Sequence, residues 1–244
     1  MEDERPHDER TRTLLRKQEE FTAFIVHDLR NPLASILANV AFLSDVLADS
    51  PRAAPDVGQA LTDLRVASCE MARILADVRD LGRGDAGALV VQLRQVDLPV
   101  VIDEARSRLA DRLAEMRQGL EIHVAAELPR ISADGELLRR LVENLLDNAI
   151  RFSPAASQLG VTITVPDPST VLLTVSDEAF PIPEAERVDV FDAYVRSASG
   201  SMRGKGLGLA FCRLAAEAHG GRIRVEPRGA RGNLFSVVLP VRGA

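Results

Sequence analysis

Cysteine is scarce in this chain of 244 residues: Cys69 and Cys212 stand far apart with no paired spacing. That excludes a disulfide framework and a thiolate metal site, and it suits a reducing compartment. A basic excess is missing too. Against 30 Lys and Arg stand 36 Asp and Glu, a net charge of -6, whereas a duplex nucleic-acid binder needs a basic face. No uncharged stretch reaches the roughly 18 residues of a membrane-spanning helix, and charged side chains dominate the first twenty residues. The expectation is a cytoplasmic chain with no nucleic-acid partner and no direct membrane insertion. If the chain senses something, its input would arrive through a separate partner, or through a segment outside this sequence. Internal repeats are absent, as is any Cys, His and carboxylate cluster with transition-metal spacing.

The patterning that is present divides the chain. From Leu14 to about Asp49 the period is helical, and Leu33, Ile36, Val40, Leu43 and Leu47 alternate spacings of three and four, the signature of a coiled-coil-like seam. Prolines and a glycine between Asp49 and Gly58 break the helix, and a second seam follows at Leu61, Leu64, Met71, Leu75 and Val78. Further apolar positions, Leu37, Phe42, Ile74 and Leu81, exceed what one partner helix covers. A hairpin that forms a four-helix bundle in a homodimer is therefore expected. Gly82, Gly84 and Gly87 then mark a linker. The expected division is a charged segment 1–13, a helical hairpin domain 14–83, a linker 84–87 and a second domain 88–244. In the second domain, helices are expected at about 99–115, 135–152 and 207–219, the last stopped by Gly220 and Gly221. The clearest strands hold Val161, Ile163 and Val165, then Val171 to Val175, then Ile223 with Val225, then Phe235, Val237 and Leu239. This mixture predicts a two-layer α/β sandwich with mainly antiparallel strands and one face covered.

Within the first helix, the polar run His27-Asp28-Leu29-Arg30-Asn31-Pro32-Leu33 interrupts the seam. Pro32 lacks an amide hydrogen and crowds the carbonyl four residues back, which loosens the helix beside His27. A neutral imidazole offers one nucleophilic nitrogen at cytoplasmic pH. Asp28 is placed to hydrogen-bond the other nitrogen and take its proton, and Asn31, one turn on, to orient a water. A lone histidine is ordinarily a solvated surface residue; the string around it is what distinguishes this one.

In the helix of about 135–152, Asn144, Asn148 and Arg151 share one face at spacings i, i+4 and i+7, with Leu138, Leu141, Leu145 and Phe152 on the neighbouring stripe. Amide oxygens and a guanidinium in line suit a magnesium ion and the phosphates it neutralises. Gly204-Lys-Gly-Leu-Gly-Leu-Ala210 opens the last helix, where glycines admit phosphates close to backbone amides and the helix N-terminus is partly positive. Asp177 ends a strand, where a carboxylate can accept a hydrogen bond from the exocyclic amine of adenine. Arg139, Arg140 and the arginines at 222, 224, 228 and 231 read as solvated faces, and His219 as a helix C-terminal complement.

Taken together, these strings resemble the catalytic core of sensor histidine kinases. His27 to Leu33, preceded by Phe24, is similar to the H-box. Glu143 to Pro154 is similar to the N-box, Val190 to Tyr194 to the F-box, and Gly204 to Ala210 to the G2-box at the end of an ATP lid. The resemblance implies an α-helical hairpin followed by an α/β sandwich of the GHKL, or Bergerat, ATP-binding type. It implies a histidine kinase that uses ATP and Mg2+, autophosphorylates on His27 with help from Asp28, and passes the group to an aspartate on a response-regulator receiver domain, with Asn31 serving dephosphorylation. The implied cofactor-binding set is Asn144, Asn148, Arg151, Phe152, Asp177, Gly204, Gly206, Leu207 and Gly208, with Asn148 as the metal ligand.

One departure stands out. The segment resembling the G1-box runs Asp177-Glu-Ala-Phe-Pro-Ile-Pro183, so Ala179 and Pro181 stand where glycines are expected. Neither adopts positive φ cheaply, and the loop is expected to follow a different path. This keeps open a second reading, a histidine phosphotransfer adaptor or pseudokinase with weak or absent ATP binding. A third, an ATPase of the same fold, requires a general base; Glu143 is turned about 100 degrees from Asn144 around the helix and is poorly placed for that.

Overall fold

A computed structural model describes residues 32–43, 91–192 and 207–242, with isolated positions 29, 57, 60, 61, 64, 67, 68, 71, 75 and 89. His27, Asp28, Asn31, Gly204 and Gly206 lie outside the described residues, as do Leu47, Ile74, Val78 and Leu81 of the apolar seams. The chain divides into two compact units, Met1–Arg79 and Asp80–Ala244.

In the first unit residues 32–43 are helical, and the described positions between 57 and 75 are helical as well. Asn39 donates its side-chain amide to the Ser35 carbonyl one turn back, at 2.9 Å. Among the described residues of this unit, burial within a single chain falls on Pro32 and the small residues Ala60 and Ala67. Leu33, Val40, Leu61 and Leu75, expected in the seams, are exposed, as is Leu37 at 61%. The apolar excess in one chain is thus larger than the extra positions alone would make it.

The second unit carries strands β1 (Arg94–Val96), β2 (Gly119–Val124), β3 (Ile131–Ala133), β4 (Gln158–Asp167), β5 (Thr170–Ser176), β6 (Arg222–Pro227) and β7 (Asn233–Pro240). Its helices are α1 (Leu98–Glu115), α2 (Gly135–Phe152) and α3 (Leu207–Ala218). The main sheet has the order β2-β4-β5-β7-β6, while β1 and β3 form a separate pair. Only β2 and β4 run parallel in the main sheet; every other pair is antiparallel. Side chains alternate across a strand, so register decides which residues share a face. One row passes from Ile122 through Val161, Val175 and Phe235 to Val225. Of these, Val161, Val175, Phe235 and Val225 are buried, and together with Ile163, Leu173 and Val237 they meet the apolar stripe of α2 and the inner face of α3. The sheet is therefore a two-layer sandwich with the helices on one side, as patterning implied. Burying each such Val, Leu or Phe contributes about 1.5–3 kcal/mol.

Helix ends are fixed by local chemistry. Asp134 caps α2, accepting from the amides of Glu136 and Leu137, both at 3.1 Å. After α3, Gly220 takes φ 71°. Its amide bonds to the Glu217 carbonyl at 2.9 Å and that of Gly221 to the Ala216 carbonyl at 2.8 Å, the paired closure that an αL residue allows. His219 is buried between two elements. Its Nδ1 lies 2.7 Å from the Ala215 carbonyl and its Nε2 accepts from the Asp134 amide at 2.9 Å. It complements its helix terminus as expected and also ties α3 to the cap of α2.

Gly221 lies against β7: a Cβ there would sit 2.2 Å from the Val238 carbonyl oxygen and 3.1 Å from that of Ala216. Backbone atoms do not yield cheaply, so Gly221→Ala is expected to cost about 1–3 kcal/mol. At about 2–4 °C for each kcal/mol, the melting temperature of the whole chain should fall by several degrees, as read by circular dichroism.

Candidate functional site

Three polar features converge on α2. Its buried stripe, from Leu138 through Leu141, Val142, Leu145 and Leu146 to Ala149 and Ile150, fixes the helix against the sheet and thereby fixes the line Asn144, Asn148 and Arg151. Along that line burial falls away: Asn144 is 7% exposed, Asn148 half-buried and Arg151 exposed. Among the described residues the Asn148 amide makes no hydrogen bond, which suits a ligand-facing group. The Arg151 guanidinium lies 5.4 Å from the Phe152 ring centroid.

The start of α3 rests on the same line. A Cβ at Gly208 would lie 3.2 Å from both Cγ and Oδ1 of Asn144, so the missing side chain lets the two helices approach. One turn further on, the Arg140 guanidinium lies 4.1 Å over the Phe211 ring, and the Cys212 thiol reaches the Leu141 carbonyl at 3.5 Å. Leu207 is buried. Phe191, upstream, meets Phe235 edge-on with ring centroids 6.3 Å apart, in a packing role.

Asp177 follows β5 and is 1% exposed. Its Oδ1 accepts from the amide of Ala179 at 3.0 Å, from the backbone of Asn233 at 2.8 Å and from the Asn233 side chain at 3.0 Å. The loop after it does take a path without positive φ: among the described residues, the only non-glycine residues with positive φ are Arg117 and Ala156. The left-handed residue sits instead across the sheet end at Gly232, φ 98°, whose amide donates to the Ala179 carbonyl at 2.7 Å. A Cβ at Gly232 would lie 2.3 Å from the Asp177 carbonyl oxygen. The loop is also bound to the end of α2, since the Glu178 amide donates to the Ser153 hydroxyl at 3.1 Å. Asn144, Asn148, Phe152, Asp177, Leu207 and Gly208 therefore belong to elements joined through α2.

The other flank of α2 carries a separate network. Glu143 pairs with Arg139 and lies 3.4 Å from Nε of Arg108 on α1; Arg139 also pairs with Glu136, and Asp147 with Arg112. Burial alone would lower the pKa of the Arg139 guanidinium, but its hydrogen bonds to Glu136 and Glu143, and their charges, hold it above the ordinary value. This corrects the expectation of solvated faces for Arg139 and Arg140: one is a buried ion-pair centre, the other stacks on Phe211. It also engages Glu143 on the α1 side, away from Asn144.

Asn233, Gly232 and Ser153 were not anticipated. A signal for Asn233 was present: it is in phase with Phe235, Val237 and Leu239, which places an amide on the buried face, where it requires partners.

The sheet order, with the helices on one face, defines a two-layer α/β sandwich. The family model described as "Histidine kinase-, DNA gyrase B-, and HSP90-like ATPase" matches residues 133–243, and that described as "His Kinase A (phospho-acceptor) domain" matches residues 17–87. The signal transduction histidine-protein kinase/phosphatase MprB of Mycobacterium sp. (strain KMS) is 37% identical over 223 residues, 88% of this chain and 42% of that protein. The adaptive-response sensory kinase SasA of Synechococcus sp. (strain JA-3-3Ab) is 31% identical over 235 residues, 94% of this chain and 62% of that protein. A solved structure of the mycobacterial sensor histidine kinase MprB superposes with a TM-score of 0.55 at 33% identity, over 63% of this chain and 100% of that one. The chain belongs to the sensor histidine kinase family. It spans less than two thirds of the length of these curated relatives. Among the described residues no helix is long and apolar enough to cross a membrane.

The Gly208 and Asn144 contact gives a test. Gly208→Ala requires Asn144 to give way by a few tenths of an ångström, and is expected to weaken Mg-ATP binding about three- to ten-fold with little change in melting temperature. Calorimetric titration reads the first and thermal unfolding the second.

Proposed function

We propose that the chain is the catalytic core of a two-component kinase, in which the second unit binds Mg-ATP and the γ-phosphoryl group passes to His27. The observation that carries this reading is the junction of Asn144 with Gly208, which sets the polar line of α2 against the opening of α3. Asn148 is the proposed ligand of Mg2+, with Asn144, Arg151, Gly204, Gly206, Leu207 and Gly208 around the phosphates and Asp177 and Phe152 around the base. Bound Mg2+ supplies neutralisation of phosphate charge. In the transfer, the neutral imidazole Nε2 of His27 forms a bond to γ-phosphorus as the bond to the bridging oxygen breaks and ADP departs. Asp28 takes the proton from the other ring nitrogen. An aspartate on a response-regulator receiver domain then accepts the group, and in dephosphorylation Asn31 orients a water whose attack on phosphorus releases inorganic phosphate.

The apolar residues exposed in one chain, Leu33, Leu37, Val40, Leu61 and Leu75, support a homodimer whose two hairpins form a four-helix bundle, because exposed apolar residues at helical spacing call for a partner. A cytoplasmic location and a separate sensory input complete the reading. Hydrolysis as the main activity is disfavoured by Glu143, whose carboxylate is engaged by Arg139 and lies close to Arg108.

Incubating the whole chain with γ-labelled ATP and magnesium should yield acid-labile, base-stable label that His27→Gln abolishes. No label, together with no nucleotide binding by calorimetry, overturns the kinase reading in favour of a phosphotransfer adaptor. Binding with rapid turnover and no phosphohistidine favours an ATPase instead.

A further inference from the structure

The Asn233 side chain is 2% exposed and its hydrogen bonds admit one orientation. The Ile182 amide can only donate, and it meets Oδ1 at 2.8 Å. The Phe180 carbonyl can only accept, and it meets Nδ2 at 3.2 Å. That leaves the second Nδ2 hydrogen for Asp177, whose Oδ1 lies at 3.0 Å and Oδ2 at 3.3 Å. Both donors and the acceptor of the amide are thus committed to the segment from Asp177 to Ile182. The backbone of the same residue adds two more bonds, to Asp177 Oδ1 at 2.8 Å and from the Asp177 amide at 3.0 Å.

We infer that Asn233 is a positioning residue for recognition of the nucleotide base. It orients the Asp177 carboxylate and closes the following loop by side-chain hydrogen bonds, where Ala179 and Pro181 rule out a glycine turn. This rests on the reading that Asp177 meets the exocyclic amine of adenine. A loop with glycines at these places sets its own path by positive φ. Here Pro181 has no amide hydrogen and Ala179 has a Cβ, so the loop's shape comes from across the sheet end. Without the Nδ2 donor, the backbone amides of Ala179 and Asn233 still hold Asp177 Oδ1, but the bond that reaches Oδ2 is lost and the carboxylate plane can turn about Oδ1. A carboxylate whose second oxygen is less firmly placed discriminates poorly between an amine donor and a base that lacks one.

The test is a cycle of protein variant against ligand group, measured on the whole chain by calorimetry. The ligands are ADP and purine riboside diphosphate, which lacks the 6-amino group, both with magnesium. Asn233→Val and Asn233→Thr have nearly the same shape, but only threonine keeps a donor. The unaltered chain should prefer ADP about ten-fold, the worth of one hydrogen bond to a charged acceptor. That preference should fall to near unity in the valine variant and partly return in the threonine variant. Should valine prevent folding, Asn233→Ala is read in the same way. A folded valine or alanine variant that keeps the ten-fold preference, with both ligands weakened equally, overturns this inference and leaves the nucleotide reading standing. An unaltered chain that binds neither ligand overturns both.

Discussion

A carboxylate as deeply buried as Asp177, 1% exposed, is tenable only when donors surround it, because removing an unpaired charge from water costs several kcal/mol. The donors come from two directions. Ala179 turns back from the same loop, and Asn233 reaches across from the start of β7. Meeting this one requirement fixes a good deal else: position 232, at positive φ, must lack a Cβ, which would strike the Asp177 carbonyl, and the loop must rise past Phe180 to where Ile182 finds the Asn233 oxygen. The path of the segment with substituted glycines follows from satisfying a buried charge.

Helix α2 serves three surfaces at once, and its period of 3.6 residues keeps them apart. One stripe is apolar and meets the sheet. A second carries Asn144, Asn148 and Arg151 and receives α3 at Gly208. A third carries Glu136, Arg139, Glu143 and Asp147 and faces α1 through Arg108 and Arg112. Because adjacent residues lie about 100 degrees apart, Glu143 and Asn144 are neighbours in sequence with unrelated surroundings. A polar line and an ion-pair network can thus share one helix without competing for the same charges.

Much of this was legible beforehand. In the second unit the long helices were found within a residue or two, and the strands with strict alternation at their central residues, since burial on one face imposes a period that composition cannot hide. The pairs β1 and β3 are only three residues each and too short to show a period. For β2, Leu120, Ile122 and Val124 do alternate with polar residues, but this edge strand is only half covered and its signal is weak. Arg139 and Arg140 looked like a solvated pair because charge alone does not reveal which neighbours a helix will meet. One is enclosed by carboxylates, and the other lies over a ring supplied by α3.

The amino-acid sequence by itself determined the two-part organisation, the helical and strand periods, and the motif-bearing positions His27, Asn144, Asn148, Asp177 and Gly208. The organisation and the periods follow from local rules of spacing and residue chemistry, and the motif positions from the resemblance of the strings that hold them. Only the tertiary structure decided that Asn233, 56 residues after Asp177, holds its carboxylate, and that Gly208 is small because Asn144 lies against it. Both are consequences of strand register and helix crossing, which bring together residues that no local pattern relates. The physical reason is that a buried hydrogen bond or a close van der Waals contact is specified by distance in space, and a sequence states only distance along the chain.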